Sequence, residues 1–207
     1  MRARALMTLI LGYLTGVGFI LLAVPAAHAE TAADPGVFMV DVSADVLQLL
    51  NDQQHSDAER EKQFQALVDQ NFDLPRIARF VLGPPWRSAS DEEKQHFNDV
   101  FRTYMVRIYW SRFRQYYGGQ KFTILGQLKQ SDTITLVQTQ IIQPEGKPPA
   151  KVDWTVAKTA AGYKIIDVSI AGVSQSLTYR DEFSSIIQRN GGQVSALINE
   201  LSKRNAG

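Results

Sequence analysis

Residues 120–170 read QKFTILGQLKQSDTITLVQTQIIQPEGKPPAKVDWTVAKTAAGYKIIDVSI. Apolar residues recur at every second position here, which predicts four strands at 122–128, 134–142, 151–157 and 163–170. Polar, glycine-rich and proline-rich turns separate these runs. Because parallel strands need long crossovers, such short connections favour an antiparallel meander.

The period of two also assigns faces to the predicted sheet. One face is expected to be apolar, with Val152, Trp154, Val156, Ile166, Val168 and Ile170. Asp153 and Asp167 each interrupt an apolar strand. A carboxylate inside an apolar cavity would act as a general acid or base, whereas one on the outer face is only solvated.

The residues around this stretch have the spacing of helices. Capping boxes at Ser56–Glu59 and Ser90–Glu93 each predict a helix start. Six helices are expected: at 37–50, from Ser56, from Asp73 to Leu82, from Ser90 to about Tyr117, at 176–189 and at 192–204. Together they predict an α+β fold with helices packed on one face of a curved four-stranded antiparallel sheet.

The longest predicted helix has two apolar faces. One carries Phe97, Val100, Phe101, Tyr104 and Ile108; the other carries Val106, Tyr109, Trp110, Phe113 and Tyr117. A helix of this kind is expected to contact apolar groups on both sides. The pattern is equally typical of an internal lipid-sized pocket, an ordinary packed core or a dimer face.

The N-terminus has the order of a secretory signal peptide. Arg2 and Arg4 precede an apolar run at 9–24, and Ala27-His28-Ala29 forms a small-x-small cleavage site. The run of about 16 residues is shorter than the roughly 20 needed for a membrane anchor. We therefore expect residues 1–29 to be a signal peptide, residues 30–207 to be a single domain, and the periplasm to be its compartment.

Charge and cysteine content exclude several classes of protein. Loss of Arg2 and Arg4 leaves 20 basic against 21 acidic residues, whereas a nucleic-acid-binding domain would be strongly basic. The chain has no cysteine, which excludes disulfides, thiolate metal sites and a cysteine nucleophile. His55 and His96 lie in polar segments typical of solvated surface. Ser174 lacks the second glycine of a nucleophile elbow.

Several segments together resemble the MlaC/toluene-tolerance family. They are residues 71–83 (NFDLPRIARFVLG), Trp86-Arg87, Phe97, Phe101, residues 167–174 (DVSIAGVS), residues 179–183 (YRDEF), Leu197, Ile198 and Leu201. The resemblance implies an NTF2-like α+β fold with an apolar tunnel between helices and sheet. It further implies a monomeric periplasmic phospholipid carrier, without cofactor, metal or catalysis, serving an outer-membrane lipoprotein complex and an inner-membrane ABC transporter.

This resemblance also suggests where a lipid would bind. The tunnel wall is expected to include Val81, Tyr104, Ile108, Phe113, Trp154, Ile166, Val168, Ile170, Val173, Tyr179 and Phe183. Arg76, Arg79 and Arg87 would contact a headgroup or a partner, or else be plain surface charge.

Three alternatives remain open. The segment at 113–119 (FRQYYGG) also resembles the HpnM branch, which would make this a hopanoid carrier or a protein associated with hopanoid biosynthesis. An NTF2-like enzyme would use Asp153 or Asp167. A ligand-free interaction module of the envelope would have a filled core and no cavity.

Overall fold

A computed structural model describes residues 34–114, 119–144 and 148–206. The expected signal peptide and Tyr117, the expected end of the long helix, lie outside these ranges. Among the described residues, no helix has the length and apolar character needed to cross a membrane.

Within the described residues, six helices and a five-stranded antiparallel sheet confirm the α+β class. The helices are α1 (Pro35–Asn51), α2 (Asp57–Asn71), α3 (Leu74–Leu82), α4 (Asp91–Phe113), α5 (Gln175–Arg189) and α6 (Val194–Ala206), with a 3₁₀ turn at Pro84–Arg87. The strands are β1 (Lys121–Lys129), β2 (Ile134–Ile142), β3 (Ala150–Thr159), β4 (Gly162–Ile170) and β5 (Val173–Ser174), in that spatial order.

The fifth strand corrects the predicted four-stranded sheet. Strand β5 has two residues, too few to show a period in the sequence. It pairs Ile170 with Val173 and Ser169 with Ser174. The turn before it places Ala171 and Gly172 at φ 50° and 82°, a left-handed conformation that glycine adopts at little cost.

Strand β4 contains a bulge that strict alternation does not predict. Thr155 pairs with Asp167, but the next residue, Val156, pairs with Ile165. Two residues of β4, Ile165 and Ile166, therefore oppose one residue of β3. Ile165 is fully buried and Ile166 is half-buried. The apolar face predicted from the sequence includes Ile166 but not Ile165, which is more deeply buried.

The apolar interior forms two clusters, here called the helical core and the sheet core. The helical core is built from α1–α6 around the fully buried Phe97, Phe101 and Phe183. The sheet core packs Met39 and Val42 of α1 against Val137, Val156 and Ile165 of the strands. Phe72 is half-buried and packs against both clusters.

Polar contacts attach the helices to the sheet. The carboxylate of Asp34 caps α1, accepting from the amides of Gly36 and Val37, and also accepts from the side chain of Gln127 in β1 at 2.9 Å. After α2 the chain runs beside β4, where the amide of Asp73 donates to the carbonyl of Ile165 at 3.0 Å. These bonds hold the start of α1 against β1 and the start of α3 against β4.

Candidate functional site

Helix α4 is covered by apolar groups on both faces, as its pattern predicts. On one face, Phe97 and Phe101 stack with ring centroids 5.6 Å apart, and both meet the edge of Phe183 in α5. On the other, Trp110 packs at 5.7 Å from Phe64 of α2. Most of the apolar surface of α4 is thus occupied by other helices.

The C-terminal half of α4 is less completely covered. Met105, Ile108, Tyr109 and Phe113 are half-buried at the margin of the helical core. An apolar side chain that is half-buried keeps surface from which water would be removed by a ligand. These residues form the helical part of the candidate site.

A group of tyrosines lies at this margin. The Tyr109 and Tyr179 hydroxyls are close enough to affect each other's pKa, and the Tyr104 and Tyr179 rings meet at 6.0 Å. Burial raises the pKa of both Tyr109 and Tyr179 above the ordinary value, because a phenolate would lose its hydration. The guanidinium of Arg112 lies 5.8 Å from the Tyr109 ring centroid and opposes the shift in the pKa of Tyr109. The Tyr104 hydroxyl accepts from the guanidinium of Arg204 at 3.4 Å, so this polar group is paired at the edge of the helical core.

The apolar face of the sheet carries a second set of half-buried residues, which pack against the sheet core. Trp154 lies opposite Val137 on one side and Val168 on the other. Its indole N–H donates to the Thr139 hydroxyl at 3.0 Å, and that hydroxyl donates to the Val152 carbonyl at 2.6 Å. Since the polar atom is paired within the sheet, the half-buried ring presents apolar surface.

The predicted wall residues occupy three different environments. Four are buried in the helical core: Val81, Tyr104, Tyr179 and Phe183. Five are half-buried: Ile108 and Phe113 beside the helical core, Trp154 and Val168 beside the sheet core, and Ile166 at the bulge. Two are exposed: Ile170 and Val173. The predicted wall does not include Met105, Tyr109, Phe122 or Ile124, which are also half-buried, because period alone does not separate half-buried from buried positions.

Two concavities lie elsewhere on the described surface. One, of about 420 Å³, lies between α5 and α6 and is lined mainly by polar residues, including Arg189, Glu200 and Lys203. The other, of about 310 Å³, lies beside Phe72 and Arg102. Neither is lined by a residue of the five strands, so the tunnel expected between α4 and the sheet stays a prediction.

The arginines expected to meet a headgroup are exposed. In the described ranges, no carboxylate lies within ion-pair distance of Arg76, Arg79 or Arg87. Arg204, by contrast, forms ion pairs with Glu182 at 2.6 Å and Glu200 at 3.1 Å. The three exposed arginines thus have charge available for an external anion.

Comparison with known proteins identifies the family. The model of the MlaC protein family matches residues 40–203. This chain belongs to the MlaC family. It is also similar to a phospholipid-binding protein from Ralstonia solanacearum, solved in complex with a phospholipid, with 26% identity and a TM-score of 0.73. The match covers 84% of this chain and 98% of the other. The MlaC resemblance read from the sequence is therefore confirmed.

Asp167, Ser174 and His55 of this MlaC-family chain have structural partners. Asp167 accepts from the Ser174 hydroxyl at 2.5 Å and from the Ser176 amide at 3.0 Å, while the Ser174 hydroxyl accepts from the Leu177 amide. These bonds organise the start of α5. His55 bonds to Asp52 on the surface, and His96 is exposed. Asp153 is half-buried opposite Gln138 and Ser169.

Proposed function

We propose that this protein is a periplasmic lipid carrier and the substrate-binding component of an ABC-type lipid transport system. It would hold a phospholipid by its acyl chains and carry it between the outer and inner membranes. The observation that carries this proposal is membership of the MlaC family, joined to the similarity to a protein solved with a phospholipid.

The half-buried apolar residues support a site for acyl chains. Helix α4 offers Ile108 and Phe113, and the sheet offers Trp154 and Val168. Each buried methylene of a lipid would contribute about 0.8 kcal/mol, so a chain of ordinary length needs no covalent attachment. The buried Val81, Tyr104, Tyr179 and Phe183 would form the wall behind these residues, and Ile166, Ile170 and Val173 its sheet end.

Export is the second part of the proposal. Residues 1–29 would direct the chain to the periplasm and be removed after Ala29, leaving residues 30–207 as the carrier. A monomer of this size would diffuse between an outer-membrane lipoprotein complex and an inner-membrane ABC transporter. No chemical step is required, since transfer exchanges one apolar environment for another.

The test is to identify what the protein carries. The protein is purified without detergent, extracted, and analysed by mass spectrometry, and lipid exchange with liposomes is measured. We expect a phospholipid; a hopanoid would assign the chain to a carrier of polycyclic lipids instead. Recovery of no lipid, together with no exchange, would contradict the proposal and favour a ligand-free interaction module.

A filling substitution tests the site itself. Val168→Trp would occupy space beside Trp154, and we expect it to lower the co-purified lipid several-fold. Leu128→Trp is the matched control, because Leu128 is 58% exposed on β1. Both variants should keep their circular dichroism. Equal lipid content in both would exclude the face around Val168 as the binding wall.

A further inference from the structure

Four exposed apolar residues lie at or near the β4–β5–α5 junction. Val173 is 57% exposed, Leu177 52%, Phe80 40% and Ile170 39%. Ile170 and Val173 are cross-strand partners. Leu177 is the third residue of α5 and lies three residues before Arg180, whose guanidinium lies 5.0 Å from the Phe80 ring centroid. The four residues therefore span the end of the sheet, the start of α5 and the part of α3 that Arg180 contacts.

Cations border this surface. Arg76 and Phe80 are four residues apart on α3 and hence neighbours, and Arg79 is three residues from Arg76. Within the described ranges, neither these two arginines nor Arg180 has a carboxylate at ion-pair distance, although Asp181 follows Arg180 in the chain. We call Phe80, Ile170, Val173 and Leu177, with Arg76, Arg79 and Arg180, the basic apolar face.

The exposed apolar residues Val37, Val40 and Leu128 have different neighbours. Val37 and Val40 on α1 lie close to Asp34 and Asp41. Leu128 is next to Lys129, whose ammonium is paired with Asp132 at 2.8 Å. Exposed apolar side chains together with unpaired arginines thus distinguish the basic apolar face from these sites.

We propose that the basic apolar face docks on the surface of an anionic lipid bilayer. Such a surface presents phosphates that guanidinium groups bind in a forked geometry, and acyl chains just below them. The arginines of the face would bind the phosphates, and its apolar side chains would contact the acyl chains. The inference rests on the proposed carrier function, because it names the surface through which a lipid would be exchanged.

The position of the face supports this role. Ile170 pairs with Val152 of β3, and the neighbouring register position pairs Val168 with Trp154. The basic apolar face is therefore continuous with the sheet face on which we place the acyl chains. A lipid leaving the bilayer at Val173 and Ile170 would meet Val168 and Trp154 next.

The experiment measures binding to vesicles. The purified protein is sedimented with vesicles of equal parts phosphatidylcholine and phosphatidylglycerol, and with vesicles of phosphatidylcholine alone, over a range of salt. We expect binding to the anionic vesicles to be tighter and to weaken as salt increases. Arg79→Gln should weaken it about fivefold, and Leu177→Glu at least about tenfold.

The matched control is Leu128→Glu, a similarly exposed leucine on β1, which should change binding less than about twofold. Equal binding by all variants, or an equal loss in the control, would overturn the proposal. The proposal would also be overturned if the wild-type protein did not bind anionic vesicles at low salt, because the face would then bind a protein partner.

Lipid carriage and docking are separated by one further measurement. Mass spectrometry of Leu177→Glu should show lipid content like that of the wild type, with slower transfer between anionic vesicles. Unchanged transfer and vesicle binding with retained lipid would overturn the docking face alone. Absence of lipid from the wild type would instead count against the carrier function.

Discussion

At Trp154, a polar atom lies on an apolar face without being left unpaired. Its indole N–H donates to Thr139, which is fully buried and in turn donates to the Val152 carbonyl. A buried hydroxyl with two partners is stable, whereas a buried donor that loses its acceptor carries a desolvation cost.

We expect Thr139→Val to lower the free energy of unfolding by about 1–3 kcal/mol, because it leaves the Trp154 N–H without an acceptor. Urea unfolding measures the loss. In a Trp154→Phe background the same substitution should cost less, since the orphaned donor is gone. The same cost in both backgrounds would show that the two side chains are not coupled.

Tyr179 is a second residue whose polar group is buried, and this burial makes the free energy of unfolding depend on pH. Burial holds the folded-state pKa of Tyr179 above the unfolded value of about 10. The unfolded chain therefore releases the phenolic proton first, and stability falls as the pH rises above about 10.

We expect Tyr179→Phe to be less stable than the wild type near neutral pH, because the polar interaction with Tyr109 is lost. The difference between the two free energies of unfolding should be smaller at about pH 10.5 than at about pH 8, because only the wild type loses stability through ionisation of Tyr179. Urea unfolding at both values measures it. A constant difference would mean that Tyr179 ionises alike in the folded and unfolded chains.

Among the elements, β4 shows best what alternation predicts and what it leaves out. At the bulge, Ile165 and Ile166 of β4 both lie opposite Val156 of β3, and Ile165 is the more deeply buried of the two. Local sequence contains no sign of this extra residue, because both positions are isoleucine. The bond from Asp73 to the Ile165 carbonyl is a tertiary contact made by the segment after α2.

We expect Ile165→Ala to lower the free energy of unfolding by about 2–5 kcal/mol, as for other fully buried isoleucines. Ile166→Ala should cost clearly less, because that side chain is only half-buried. Chemical denaturation of the two variants makes the comparison. A larger loss at Ile166 would contradict the register of β3 and β4.

Helix starts were more predictable than strand register. Both predicted capping boxes are present, with Ser56 accepting from the Glu59 amide and Ser90 from the Glu93 amide. A cap depends on residues three positions apart, so the sequence shows it directly. Strand β5 depends on pairing with β4, and two residues have no period of their own.

For the molecule as a whole, the contacts between the helical core and the sheet core decide whether the two cores unfold together. Phe183 contacts Phe97 and Phe101 in the helical core, while Trp154 packs against the sheet core. Phe72 packs against both. Residues 34–206 belong to one compact unit, so the two cores are expected to unfold together.

We expect Phe183→Leu to lower the free energy of unfolding by about 1–2 kcal/mol through the cavity it leaves. Tryptophan fluorescence is recorded in two backgrounds, one in which Trp110 is the only tryptophan and one in which Trp154 is. The denaturation midpoint should shift equally for both reporters. A shift seen by Trp110 alone would show that the sheet core unfolds independently.

The sequence by itself determined the α+β class, the order of the main elements, the capped helix starts and the family, because these depend on local period and contiguous motifs. Tertiary structure decided the fifth strand, the bulge at Ile165 and Ile166, and the division of the predicted wall into buried, half-buried and exposed residues. It also brought Phe80 of α3 beside Arg180 of α5, although about a hundred residues separate them. The physical reason is that burial and pairing depend on neighbours distant in the chain, whereas period and capping do not.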